Sequence, residues 1–267
     1  MGSKITKIKT PKKDEVHTYI VAGDWHTENL CLSTYKNMIA FAKKIPKESR
    51  RLIINGDFLD APHLMKKDEG FKAAIKSTYG IEETLVPISD NEFEWGNRIL
   101  DELQQTFGWI YFNAGNHEFR YDWVSSILPH AYRHNFNLQS RLHLRERGIP
   151  YVAYNDWLDI GRVSITHGMF HSTSALKQHY EACGARTVIY SHVHKDEHKS
   201  FMHRGLTKQA WSCPAMCTLN PEYIKNTDNN WTNGWITLNV HGSGTFNIST
   251  QTVWDGRFID PYGRVYE

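Results

Sequence analysis

This chain has no apolar run near the roughly 18 residues needed to cross a bilayer as a helix. No apolar block follows Lys4, Lys7, Lys9, Lys12 and Lys13, as one would in a signal peptide. A membrane partner is therefore not expected. Cysteine is scarce: Cys31, Cys183, Cys213 and Cys217 are spread widely, and only the last two are close, as C-x3-C. That spread excludes a disulfide framework, and no second Cys/His pair stands at zinc-finger spacing. Four free thiols in a reducing, cytoplasmic setting is the expectation. An excess of one charge is also missing. The net charge is +2 with 15 histidines counted neutral, so the global field demands no nucleic-acid partner. No repeat or low-complexity tract is visible, and no obligate protein partner is evident.

The 267 residues, 40% of them hydrophobic, suffice for one large domain with a buried core. Residues 1–15 read as a frayed, basic lead-in and residues 16–267 as that domain. Tyr19-Ile20-Val21-Ala22 is a short apolar run ending at Gly23, and it reads as a buried strand. Leu32, Tyr35, Ile39 and Ala42 recur at helical spacing until Pro46. Leu52-Ile53-Ile54 and Trp109-Ile110-Tyr111-Phe112 give two more buried strands. Short apolar strands separated by helices indicate a βαβ arrangement with a largely parallel sheet. Residues 61–108 form a long excursion with a helix-like stretch from about Asn91 to Thr106, and a flap over a site is the expectation. Later strands are read at Val152, Trp157-Leu158, Val163-Ser164-Ile165 and Thr187-Val188-Ile189-Tyr190, with a helix over about Ser174 to Cys183. Ile236, Leu238 and Val240 alternate with polar residues and lead through His241-Gly242-Ser243-Gly244 into Phe246-Asn247-Ile248. A second sheet packed on the first is the simplest picture.

Five short pieces carry the chemistry: Asp24-Trp25-His26, Gly56-Asp57-Phe58-Leu59-Asp60, Gly115-Asn116-His117-Glu118, Thr166-His167-Gly168 and Ser191-His192-Val193-His194. Asp24, Asp57 and Asn116 each follow the C-terminal end of a strand, the edge at which open α/β sheets bind ligands. Carboxylates, imidazoles and an amide in this pattern could hold two divalent cations side by side. Such a pair lowers the pKa of a bound water to give hydroxide, and it neutralises charge on phosphoryl oxygens. The ions must stand about 3.5–4 Å apart, so one ligand should bridge them. A carboxylate bridges readily, and Asp57 lies midway in the set. Any one of these residues alone has a plainer reading: Asp24 as a helix cap, Asn116 as a turn residue, His192 as a loop histidine.

The string D-x-H, G-D-x-x-D, G-N-H-E, H-G, x-H-x-H, in that order over residues 24 to 194, resembles the calcineurin-like metallophosphoesterase superfamily. The resemblance implies an α/β fold, a four-layer αββα sandwich of two mixed β-sheets flanked by helices. It implies that Asp24, His26, Asp57 and His194 hold one metal, and that Asp57, Asn116, His167 and His192 hold the other. It implies that His117 protonates or stabilises the leaving oxygen and that Asp60 orients His117. Ser191 departs from the pattern, which usually has glycine there. Mixed oxygen and nitrogen ligands suit manganese, iron, zinc or nickel alike, and manganese is the expectation.

The resemblance also bears on substrate. The phosphoprotein phosphatases of this superfamily place arginines after the second motif and before Gly-Asn-His-Glu, where this chain has Ala61-Pro62 and Ala114. A phosphomonoester dianion loses bidentate partners without them, whereas a diester carries one charge fewer. The expectation is hydrolysis of phosphodiester bonds in nucleotides or DNA, with a phosphomonoesterase as the alternative. A non-catalytic binding module is disfavoured, because no ligand position is lost. Leu219-Asn220-Pro221-Glu222-Tyr223 and Asn230-Trp231-Thr232-Asn233-Gly234-Trp235 look like a branch common in bacteriophage genomes, described as phosphoesterases or DNA-repair exonucleases. Arg120 and His171 are candidates to touch the substrate phosphate. Trp211, Trp231 and Trp235 read first as sheet packing and second as base-stacking platforms.

Overall fold

The computed structural model describes residues 3–221 and 229–267. Its strands are β1 (Ile5–Ile8), β2 (Val16–Ala22), β3 (Arg50–Asn55), β4 (Trp109–Asn113), β5 (Tyr151–Val152), β6 (Trp157–Ile160), β7 (Val163–Thr166), β8 (Thr187–Tyr190), β9 (Glu197–His203), β10 (Leu206–Ser212), β11 (Asn233–His241) and β12 (Phe246–Val253), with a short hairpin of β13 (Phe258–Ile259) and β14 (Val265–Tyr266). Two six-stranded sheets result, ordered β12-β11-β2-β3-β4-β5 and β1-β6-β7-β8-β10-β9. Both are mixed. In the first, β2 to β5 run parallel and β11 is antiparallel to its neighbours. In the second, β7 runs parallel to β8 and antiparallel to β6.

Side-chain alternation explains the layering. On β2, Tyr19 and Val21 enter one cluster while Ile20 and Ala22 enter another, as successive strand residues must face opposite sides. On β3, Ile53 joins the former and Leu52 and Ile54 the latter. The cluster with Tyr19, Val21 and Ile53 also holds Ile165, Ile189 and Leu238, so it lies between the two sheets. The other joins the outer face of the first sheet to the helices Leu32–Ala42 and Val86–Thr106. The outer face of the second sheet is covered by the helix Ala175–Ala182, with Tyr180 against Val188. Each of these fully buried aliphatic side chains contributes about 1.5–3 kcal/mol. This is the sandwich with helices on both outer faces that the motifs implied.

Two details differ from the sequence reading. Residues 5–8 are not a frayed lead-in: β1 pairs in parallel with β6, Ile5 opposite Trp157 and Ile8 opposite Ile160. The 61–108 excursion does not stand off from the body. Phe71, Ile81, Leu85, Phe93, Leu100 and Leu103 from it are buried in the larger core, and that burial ties it down. Among the described residues, no helix is long and apolar enough to cross a membrane.

Candidate metal centre

Parallel strands aim their C-terminal ends the same way. β2, β3 and β4 therefore deliver Asp24 and His26, Asp57 and Asp60, and Asn116 and His117 to one rim of the first sheet. β7 and β8 deliver His167, His192 and His194 to the facing rim of the second. The backbone at this rim is unusual. Asp24 (φ 53°), His26 (43°), Asp57 (49°), His192 (75°) and His194 (59°) all adopt the left-handed conformation. Each such non-glycine residue costs on the order of 1–3 kcal/mol and persists only where its surroundings enforce it.

The enforcing contacts can be named. Asp24 N–H donates to the Gly56 carbonyl at 3.0 Å, and His26 N–H to the Asp57 carbonyl at 2.8 Å. The buried Glu118 carboxylate accepts the amides of Asp57 (2.9 Å), Leu59 (2.9 Å) and Gly115 (2.7 Å), and so clamps the second motif to the third. Gly115 permits this approach, since a Cβ there would lie 2.1 Å from Asp57 Oδ1. Glu92, fully buried on the helix Val86–Thr106, accepts the amides of Asp60 (2.5 Å) and Ala61 (2.7 Å). On the opposite rim, the Asn55 amide donates to the Thr166 carbonyl and to Ser191 Oγ, both at 2.8 Å. Ser191 thus has a hydrogen-bonding role where glycine is usual. Gly23 leaves room for it, because a Cβ on Gly23 would fall 2.2 Å from Ser191 Oγ.

The donor atoms converge. His167 Nε2 lies 3.3 Å from Asp57 Oδ2 and 3.0 Å from Asn116 Oδ1. His194 Nε2 lies 3.3 Å from Asp24 Oδ1, and the His192 amide donates to both Asp24 oxygens at 3.0 and 3.1 Å. Donor atoms of Asp24, His26 and Asp57 fall within 4.8 Å of one another, as do those of Asp57, His167 and His192. Asp57 is common to both groups, which suits a bridge. His26 Nδ1 faces Asp60 Oδ1 at 2.8 Å, while its buried Nε2 has no partner. An orphaned imidazole nitrogen among carboxylates costs free energy unless something accepts its lone pair. A divalent cation does so, and the donor set fits one.

Electrostatics support the same reading. Burial would raise the Asp57 carboxyl, but the His167 and His117 rings overcome it and hold the group well below its ordinary value. Asp60 is also depressed: burial opposes, and hydrogen bonds from His117 and His26 win. Burial would lower His167, yet Asp57 and Asp24 push it up to about 9. His194 is likewise raised against its burial by Asp24. Burial and the neighbouring His167 lower His192. Ionised carboxylates are thus held together by imidazolium charge that a metal would replace.

The remaining candidates divide. His117 Nδ1 lies 2.5 Å from the Asp60 carbonyl and 3.2 Å from its Oδ1, so Asp60 orients this ring as well as His26. Arg120 pairs with no acid among the described residues. It donates to the carbonyls of Asp60 (2.8 Å) and Ala61 (3.1 Å), and its Nη2 lies 2.9 Å from His117 Nε2. A guanidinium can only donate, so Nε2 is the acceptor and Nδ1 carries the ring proton. His171 is exposed, with its ring centroid 6.1 Å from that of His192. Trp235 is core, Trp211 stacks on His198 at 4.3 Å, and Trp231 lies 4.1 Å from the His194 ring. Residues 222–228, including Glu222 and Tyr223, lie outside the described residues. Sequence reasoning assigned no role to Glu118 or Glu92. Glu118 was visible as the last letter of Gly-Asn-His-Glu. Glu92 stands 32 residues from Asp60 and carries no local signal.

Residues 17–196 match the family model of the calcineurin-like phosphoesterases. No curated protein matches the chain. Among solved structures, a single mutant of Vps29 from Entamoeba histolytica is 11% identical, with 90% of this chain and 94% of that one covered and a TM-score of 0.44. Vps29 from Chaetomium thermophilum is 8% identical over 94% and 95%, with a TM-score of 0.44. Wild-type Vps29 complexed with zinc from Entamoeba histolytica is 12% identical over 90% and 95%, with a TM-score of 0.45. Likeness at these scores carries no argument about activity.

Proposed function

This chain belongs to the calcineurin-like phosphoesterase family, a family of metal-dependent phosphoester hydrolases, and from that premise we propose that it cleaves phosphodiesters, with nucleotides or DNA as the substrate class. Asp24, His26, Asp57 and His194 would hold one divalent cation and Asp57, Asn116, His167 and His192 a second. Two such cations supply Lewis acidity and activate water at neutral pH.

The observation that carries the diester reading is that positions 61 and 114 offer no guanidinium to a phosphate. Ala61 and Ala114 are buried and offer no side-chain donor. Arg120, the nearest candidate, is engaged with the carbonyls of Asp60 and Ala61. A dianionic monoester would lack the bidentate partner that discriminates it. His117 is the proton donor in this reading. Asp60 holds its Nδ1 side, so its Nε2 side is the one offered to the leaving oxygen, and the Arg120 contact must part when substrate arrives. Burial and Arg120 lower this ring, but Asp57 and Asp60 outweigh them and raise it, which favours the protonated form a proton donor needs. Trp231, half-buried with its ring 4.1 Å from that of His194, would in this reading stack a base at about 1–3 kcal/mol.

A second reading, phosphomonoester hydrolysis, draws support from the same Arg120: freed from His117, its guanidinium could turn to a dianion. The comparison of bis-p-nitrophenyl phosphate with p-nitrophenyl phosphate decides. A higher kcat/KM for the diester in the manganese-loaded protein is expected, and a clear preference for the monoester reverses the ranking.

A further inference from the structure

We propose that the space between the two sheets, at the end opposite the metal rim, holds a second, non-catalytic site for a nucleoside phosphate. The proposal goes beyond the metal centre and stands whatever that centre cleaves.

Strand alternation builds the site. On β2, His17 and Tyr19 share the face that carries Val21. On β3, Arg51 shares the face of Ile53, and on β4, Trp109 shares that of Tyr111. Val21 and Ile53 belong to the apolar cluster between the sheets, and Tyr111 packs against it. Toward the N-terminal ends of these strands the inward positions turn aromatic and cationic, with Tyr19 opposite Arg51 and Arg51 opposite Trp109. The β1 strand and the turn after it form a further wall. The result is a cavity of about 670 Å³, within the range of small-molecule sites. Tyr19 precedes Asp24 by five residues, about 15 Å along a strand, so the cavity is remote from the metal ligands.

Arg51 anchors the chemistry. It is 7% exposed. Its Nη1 donates to the carbonyls of Glu48 at 2.6 Å and Arg50 at 3.1 Å, and its Nη2 to His17 Nε2 at 3.3 Å. None of these acceptors is an anion, because burial and the Arg51 charge lower His17 and leave its ring neutral. A buried cation without a counter-charge is costly, and an anion in the cavity relieves that cost. Lys7 and Lys9 line the same cavity. Glu15 is engaged by Lys12 at 3.8 Å, which leaves Lys7, Lys9 and Arg51 facing Glu48 as the remaining acid of the lining. The Tyr19 hydroxyl, pushed up to about 12 by burial and Tyr111, keeps its proton and donates. A guanidinium backed by ammonium groups suits a phosphate. Trp109 is 56% exposed, with the Arg51 guanidinium 5.8 Å from its ring centroid, and it offers a planar surface to a base. A phosphate and a planar ring on one molecule satisfy both halves of the cavity.

The test is photolabelling of the full, manganese-loaded chain with an azido-substituted AMP, the labelled peptides being located by mass spectrometry. Label should fall on the strands that carry Tyr19, Arg51 and Trp109. Unmodified AMP should compete about tenfold better than adenosine or inorganic phosphate, because neither of these fills both halves. Lys7→Gln combined with Lys9→Gln should raise the half-saturating concentration about threefold, and Trp109→Ala about fivefold or more. These side chains are exposed, so both variants should melt as the native protein does. Label confined to peptides of the metal rim overturns the site. So does labelling of this wall that adenosine or phosphate blocks as well as AMP does, or that both variants leave unchanged. The diesterase reading survives each of those results, and a native chain without diesterase activity leaves the site standing. The competition in native protein decides even where a variant fails to fold.

Discussion

The first sheet contributes Asp24, His26, Asp57, Asp60, Asn116 and His117 to the rim, and the second contributes His167, His192 and His194. Both halves contain left-handed residues, but they are held differently. The acidic half is braced by two buried carboxylates from helices, Glu118 and Glu92, which accept five backbone amides between them. The imidazole half is braced by neutral groups, chiefly the Asn55 amide and the Ser191 hydroxyl. Loops that gather anionic ligands thus carry further anions behind them, oriented by amide dipoles. The cost shows in Glu118, where burial and the adjacent Asp57 push the carboxyl up to about 7. A bound cation would relieve it.

The comparison can be broken most severely at Asp57, where the halves meet. Asp57→Asn should lower kcat/KM for bis-p-nitrophenyl phosphate by more than the roughly hundredfold typical of a lost proton donor, because both metal positions weaken together. His117→Ala should cost about a hundredfold on substrates with a poor leaving group. The loss should shrink for p-nitrophenolate, and an equal loss on both kinds of substrate contradicts proton donation. Bracing is tested next. Glu92→Gln should leave the fold in place but weaken metal binding about 10–100-fold, measured by calorimetry, since it removes the charge from the group whose Oε1 accepts both loop N–H groups and puts an NH2 where Oε2 accepts from the Tyr121 hydroxyl.

A fourth outcome concerns pH. In the metal-free protein, burial alone would lower His167, but Asp57 and Asp24 raise it to about 9 from an ordinary 6.5. Its contribution to stability is fully present below about pH 6.5 and is lost as pH rises through about 9. Metal must displace that proton, so metal affinity should rise over the same window, by about tenfold per pH unit at most. Thermal melts and manganese titrations at pH 7 and 8 should move in opposite directions. The smallest effect belongs to the second sheet. Ser191→Gly removes one neutral hydrogen bond, worth about 0.5–1.5 kcal/mol, and should leave kcat nearly unchanged. A large loss of activity would show that the imidazole half depends on Ser191 as the acidic half depends on its glutamates.

How legible the centre was in the sequence follows from the same contrast. Asp24, His26, Asp57, Asn116, His167, His192 and His194 could be read because each closes an apolar run that is itself a strand. The second motif's Asp60 was read as orienting His117, and it holds His26 too. Glu92 could not be read, because its role arises only when a helix folds back over the Asp60 loop. β1 escaped because only Ile8 of its four residues is even half-buried, so its pattern resembles a polar tail. The length of the 61–108 excursion suggested a flap, whereas Phe93, Leu100 and Leu103 on it serve the core.

The most direct measurement is the number of tightly bound manganese or zinc ions per chain, taken by elemental analysis after dialysis against trace metal, for the native protein and for Asp57→Asn. Two ions are expected in the native chain and markedly fewer than two in the variant. Two ions retained in Asp57→Asn, or none bound by the native chain, contradicts a centre bridged by Asp57.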